Sequence, residues 1–148
     1  MRYLAIALLT IMLVSCSRTG VVPKVSEDKV REYSVAAVAL SDFSIKIVAY
    51  YRSKNESVPG DFDTSNFFAL LQTIYPDQNR VNSIKGNYRV SVRPLDGGYS
   101  VMLCDPRTDR KIMEDFSCHV SRVELRSWES DVVSPCVFEN NWKAYCEP

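Results

Sequence analysis

From Val30 to Tyr51, apolar side chains return at three- and four-residue steps: Val30, Tyr33, Ala37, Leu40, Ile47 and Tyr51, with Phe43 and Val48 alongside. That period belongs to one face of an amphipathic helix. Ser26 stands ready as N-cap before Glu27 and Asp28, acids that suit the positive end of a helix dipole. No proline or glycine follows until after Ser53, so a long helix over 26–53 is predicted. Its second half, Phe43 to Tyr51, is apolar on more than one side, which implies either deep burial or a break near Asp42. After a turn at Asn55–Gly60, Phe67 to Tyr75 forms a shorter amphipathic run that stops at Pro76. Asp63 or Thr64 is its natural cap.

The period then changes from helical to two. Tyr88, Val90 and Val92 alternate with Arg89, Ser91 and Arg93; after Pro94-Leu95-Asp96-Gly97-Gly98, Tyr99, Val101 and Leu103 alternate with Ser100 and Met102. Two alternating runs about a glycine turn predict a β-hairpin. Val123 and Leu125, set between Arg122, Glu124 and Arg126, predict a further strand. Pro106–Phe116 reads as a polar excursion, and Trp128–Pro148 as irregular. The expected class is α+β: a long and a short helix packed on an antiparallel sheet of three to four strands, with a disulfide-stapled C-terminal region.

The opening stretch is of another kind. Arg2 precedes an apolar run from Tyr3 to Val14 that only Thr10 interrupts. It falls short of the roughly 20 residues a spanning helix needs, and a basic start with a short apolar middle marks a secretory signal. The residues that close it, Leu13-Val14-Ser15-Cys16, resemble the lipobox of bacterial lipoproteins. That resemblance implies cleavage after residue 15, acylation of Cys16, and a membrane anchor made of lipid. Ser17 is not the aspartate associated with inner-membrane retention, which points to the outer membrane. The expected organisation is a signal peptide over 1–15, a lipidated tether over 16–25, where Gly20 and Pro23 discourage regular structure, and a single envelope domain over 26–148.

Composition fits an exported globular domain. Eighteen basic and 18 acidic side chains balance, and losing Arg2 with the signal leaves one net acid. Such a chain offers no electrostatic footprint for nucleic acid. Beyond Cys16 remain Cys104, Cys118, Cys136 and Cys146, an even count that reads as two disulfides in an oxidising compartment. Three connectivities are open, and proximity along the chain favours Cys104–Cys118 with Cys136–Cys146. Zinc is disfavoured because no Cys-x₂₋₄-Cys pair is present.

Other chemistry is thin. Asp61-Phe62-Asp63-Thr64-Ser65 spaces oxygens as a calcium loop does, but Asn66 stands where the turn glycine belongs and Gln72 where a bidentate glutamate would, so helix capping accounts for it and no metal or other cofactor is expected. His119, the single histidine, adjoins Cys118, and neighbours on a strand point to opposite faces; no catalytic set is expected. Asp105, Asp109, Glu114 and Asp115 among Arg107, Arg110 and Lys111 read as a solvated loop of weak ion pairs. Arg89, Arg93, Arg122 and Arg126 are expected to share one wet sheet face. Trp128, Phe138, Trp142 and Tyr145 form either a small core beside a staple or a docking patch, with Trp128, Trp142 and Tyr145 the candidate contacts.

Val48-Ala49-Tyr50-Tyr51-Arg52-Ser53-Lys54-Asn55 through Pro59, closing a long helix ahead of a sheet and a disulfide-pinned loop, resembles the head domain of type IV pilins and pseudopilins over about a hundred residues. The chain departs from that family at its start, where a lipobox replaces the hydrophobic assembly helix. The resemblance implies a tethered component of a pilus or secretion assembly rather than a fibre subunit. The expected function is a lipid-anchored, non-catalytic envelope protein that binds or positions a partner protein. A small envelope hydrolase or ligand-binding protein, or a surface lipoprotein with a structural or exclusion role, is the alternative.

Overall fold

A computed structural model describes residues 25–118, 122–128 and 133–146. The expected signal segment, Cys16 and His119 lie outside them. Helix α1 runs unbroken over Glu27–Ser53, with the Ser26 side chain accepting from the Lys29 amide and Arg52 in the last turn. Helix α2, Thr64–Ile74, starts at a reciprocal capping box between Asp63 and Asn66. A third helix, α3, spans Gln78–Asn87 behind an Asp77 cap and was not expected.

Four strands follow in simple meander order: β1 Arg89–Leu95, β2 Gly98–Asp105, β3 Arg110–Ser117 and β4 Arg122–Arg126, each antiparallel to its neighbour. The β1–β2 hairpin turns at Asp96-Gly97, where Gly97 takes φ 72, a conformation open to glycine without steric cost. Pro94 on edge strand β1 lacks an amide, and the Thr64 hydroxyl takes that of Val92, so α2 caps part of the exposed edge.

The polar excursion expected over 106–116 is instead largely β3, an inner strand buried along its whole length. A register shift between Leu103 and Cys104 makes Ile112 the extra residue: Leu103 faces Met113, but Cys104 faces Lys111. Residues three apart on a regular strand point to opposite faces. This bulge brings Lys111 and Glu114 to the same face, where they pair at 3.1 Å, while Ile112 and Met113 both enter the main core. The mixture of charges that reads as a solvated loop is therefore a strand whose charges are matched internally.

The sheet has a core on each face. Helices α1, α2 and α3 cover one, burying Leu40, Phe43, Ile47, Phe67 and Leu71 against Tyr99, Val101 and Leu103. Each such large side chain contributes about 1.5–3 kcal/mol on leaving water. The C-terminal segment covers the other, setting Cys146, Trp142 and Tyr145 against Leu95, Phe116, Val123 and Leu125. It ends in a single helical turn, α4, Lys143–Cys146.

The disulfides are Cys104–Cys136 and Cys118–Cys146, not the pairs closest in sequence. Cys104 ends β2 beside Lys111, whereas Cys118 follows Ser117 beside Tyr99 at the opposite end of the same hairpin. Six residues of strand, about 20 Å, separate them, far beyond the reach of a disulfide. The true pairs interleave, and both tie the C-terminal segment to the sheet.

Candidate docking surface

Helix α1 fills the core with one side only. Tyr33, Ala36, Leu40, Phe43 and Ile47 point inward, while Val35, Val38 and Ile45 remain 64%, 51% and 46% exposed. The excess apolarity of its second half is therefore neither a break nor deeper burial; part of it faces outward. Val35, Val38, Asp42, Ile45, Ala49 and Arg52 step along the helix by three and four in alternation, the spacing of a helix–helix seam. At its middle, Asp42 turns aside to accept the Tyr75 hydroxyl at 2.5 Å, with Arg80 at 3.5 Å.

The C-terminal half of this seam forms one wall of a cleft of about 690 Å³ lined by Ile45, Val48, Ala49, Arg52, Ser53, Ser117, Cys118 and Arg122. The opposite wall is the end of β3 and the start of β4. Beneath it, the Ser44 hydroxyl meets the Tyr99 hydroxyl at 2.8 Å and that of Ser117 at 3.1 Å. Ser44 also acts on the buried Asp115 carboxyl, and burial holds the Tyr99 hydroxyl far above its ordinary pKa. The group ties α1 to β2 and β3.

Arg122 anchors the β4 wall. Its guanidinium donates to Asp115 at 2.7 and 3.0 Å, to Glu124 at 2.5 Å, and to Ser41 of α1. Asp115 is wholly buried. That burial raises its carboxyl pKa to about 6 although Arg122 pulls the other way. Glu124 shows the opposite balance: burial would raise it, but Ser41, Arg126 and Arg122 hold it below the ordinary carboxylate value. Arg122 is thus spoken for. Arg52, in the exposed last turn of α1, pairs with no carboxylate among the described residues.

On the far side of the sheet, Glu114 is wholly buried and pins the C-terminal segment. It accepts from Ser100 at 2.8 Å, Lys111 at 3.1 Å and the Glu139 amide at 2.9 Å. Lys111 also donates to the Val137 carbonyl and Arg93 to that of Glu139. Near the β2–β3 turn, burial would raise the Asp105 pKa, but the Tyr33 hydroxyl and the Arg107 amide outweigh it and hold the group low.

The four arginines expected on one wet face divide between two. Arg93 lies opposite Ser100 and Arg89 opposite Cys104, on the face that the C-terminal segment covers; Arg122 lies opposite Ser117 and reaches α1 from the helix face, and Arg126 stands over Trp128. The aromatic candidates are also divided. Trp128 is 6% exposed within the main core, whereas half-buried Tyr145 stacks on Phe116 at 5.2 Å and Trp142 packs beside it in the second core. Trp142 lines a surface hollow with Arg93, Pro94, Leu95 and Val58. The outward seam of α1 went unnamed in the sequence because its valines share a period with the core stripe. No family model matches the chain, and no curated protein or solved structure matches it.

Proposed function

We propose that this is a lipid-anchored, non-catalytic envelope protein that holds a partner protein against the outer face of α1. The observation that carries this reading is the unpartnered apolar seam of Val35, Val38 and Ile45 running into the cleft beside Cys118. Contiguous apolar surface of this sort marks interaction sites more often than chance exposure does. The lipobox-like Leu13-Val14-Ser15-Cys16 supports the anchor. The nine residues from Ser17 to Val25 reach at most about 30 Å, so α1 begins close to the bilayer, where an outer-membrane partner is within range. The two disulfides accord with an oxidising compartment. The likeness to pilin head domains favours a pilus or secretion assembly as the setting.

The test is site-specific photocrosslinking in the native host, with the probe at Val38 and, as control, at exposed Thr73 on α2. One envelope protein should be captured from Val38, not from Thr73, and should capture this protein reciprocally. Adducts with lipid alone, or equal capture from both positions, would overturn the reading.

A further inference from the structure

We infer that the cleft between α1 and the β3–β4 end receives an amphipathic helix of the partner that carries a carboxylate for Arg52. This rests on the docking reading above and adds the chemistry of what docks. Three observations set the occupant. The alternating three- and four-residue steps from Val35 to Arg52 present a straight seam, which a second helix of the same spacing follows with its own apolar side chains. Ala49, small and exposed, lies between Ile45 and Arg52 on the cleft wall, so a partner backbone can come close there. The floor is apolar through Ile45, Val48 and Cys118.

Charge then chooses among occupants. Arg122 is neutralised by Asp115 and Glu124, so it neither attracts nor repels strongly. Arg52 is the charge at the cleft left without a carboxylate among the described residues. Glu56 lines the adjoining hollow together with Arg52 but makes no ion pair with it. An acid on the incoming helix completes Arg52, while a basic helix is rejected. An in-register parallel pair of copies is a poor occupant, because it would set Arg52 against Arg52 and Asp42 against Asp42; an antiparallel pair would set Arg52 near Asp42, and the measurement below distinguishes that dimer from a separate partner.

The probe is a labelled 18-residue amphipathic peptide with leucines at seam spacing and glutamates beside them, titrated by fluorescence anisotropy against the acylated full-length protein in neutral-lipid nanodiscs. Empty nanodiscs give the lipid background. The glutamate peptide should bind at least tenfold more tightly than its lysine counterpart. Arg52→Glu should weaken it about tenfold, Arg52→Lys should keep most of the affinity, and Ile45→Asp should remove binding, all with unchanged melting temperature. Hydrogen exchange should show protection confined to the seam, residues 35–53, and to the cleft residues 117–118. Equal binding of both peptides, an affinity indifferent to Arg52→Glu, protection elsewhere, or a dimer that Ile45→Asp dissociates would each overturn the inference. Failure here alongside specific capture from Val38 would leave the docking function standing with a different partner chemistry.

Discussion

Glu114 and Asp115 are consecutive residues of β3, both wholly buried, and their carboxylates point to opposite faces of the sheet. Glu114 meets Lys111, Ser100 and the C-terminal segment; Asp115 meets Arg122 beneath α1. One strand thereby holds down both covering layers, each through an ion pair. The two acids differ in how fully they are satisfied. Both Glu114 oxygens accept hydrogen bonds, whereas Asp115 Oδ1 has no hydrogen-bond partner among the described residues.

That difference predicts a pH effect. The Asp115 pKa rises on folding from 3.8 to about 6, so the folded state binds its proton more tightly than the unfolded chain does. The stability this adds is fully present below pH 4 and is lost as pH climbs through 6. The shift corresponds to about 3 kcal/mol. Acids with lowered values, such as Asp105 and Glu124, act in the reverse sense, so the effect is read as a difference between proteins. Urea unfolding of wild type and Asp115→Asn at pH 4.5 and 7.5 should show the wild type losing about 2 kcal/mol relative to the variant as pH rises, the rest of the effect lying below pH 4.5. A constant difference would show that Asp115 does not titrate in this window.

Removing Glu114 should be more damaging, because Lys111 would stay buried without its charge partner. Glu114→Ala is expected to cost about 3–5 kcal/mol, and a double replacement, Glu114→Leu with Lys111→Met, to recover much of it. Hydrogen exchange supplies a local readout, since the Glu139 amide donates to Glu114. Its protection should fall in both variants, while amides of α2 keep theirs in the double variant.

How far the sequence reveals this arrangement depends on whether local pattern or distant pairing decides each element. Helices α1 and α2 and the first hairpin declare themselves by period and caps. Helix α3 does not, because only Val81 and Ile84 of its ten residues reach the core and Gly86 weakens the pattern. Strand β3 is hidden by its charges and by the bulge at Ile112, which breaks alternation where the strand is most buried. The cysteine pairing is hidden because an antiparallel hairpin carries Cys104 and Cys118 apart. As for the docking surface, the apolar excess of α1 is visible in the sequence, but the split of Phe43 and Ile47 inward from Ile45 outward follows only once the sheet is placed.

The interleaved disulfides close loops with separations of 32 and 28 residues, for which chain entropy gives about 3–4 kcal/mol each. Non-reducing peptide mapping should recover Cys104 with Cys136 and Cys118 with Cys146. Replacing Cys118 and Cys146 by serine should free the end of the chain more than replacing Cys104 and Cys136. Near Cys136, the Lys111–Ser134 and Asp109–Cys136 backbone bonds and the Glu114 cluster remain, whereas around Cys146 the single turn of α4 packs Trp142 and Tyr145 on the second core. Limited proteolysis should therefore cut after Lys143 first in the Cys118/Cys146 variant. Equal cutting in both double variants would show the two staples to be equivalent.

The start of β2 tolerates no side chain. A Cβ at Gly98 would lie 1.8 Å from the Ser117 carbonyl oxygen, which is backbone and cannot swing away. Gly98→Ala must push β3 aside at the point where Ser117 meets Ser44 and Cys118 enters its disulfide. It should cost at least about 1–3 kcal/mol and blunt exchange protection at Tyr99 and Ser117. Gly60 gives the control, since nothing stands within 4 Å of a Cβ there, and Gly60→Ala should leave stability unchanged or raise it by a few tenths of a kcal/mol. Urea midpoints of the two variants measure the contrast. If Gly98→Ala proved as stable as Gly60→Ala, the close approach of β2 to β3 at the cleft floor would have to be looser than the geometry shows.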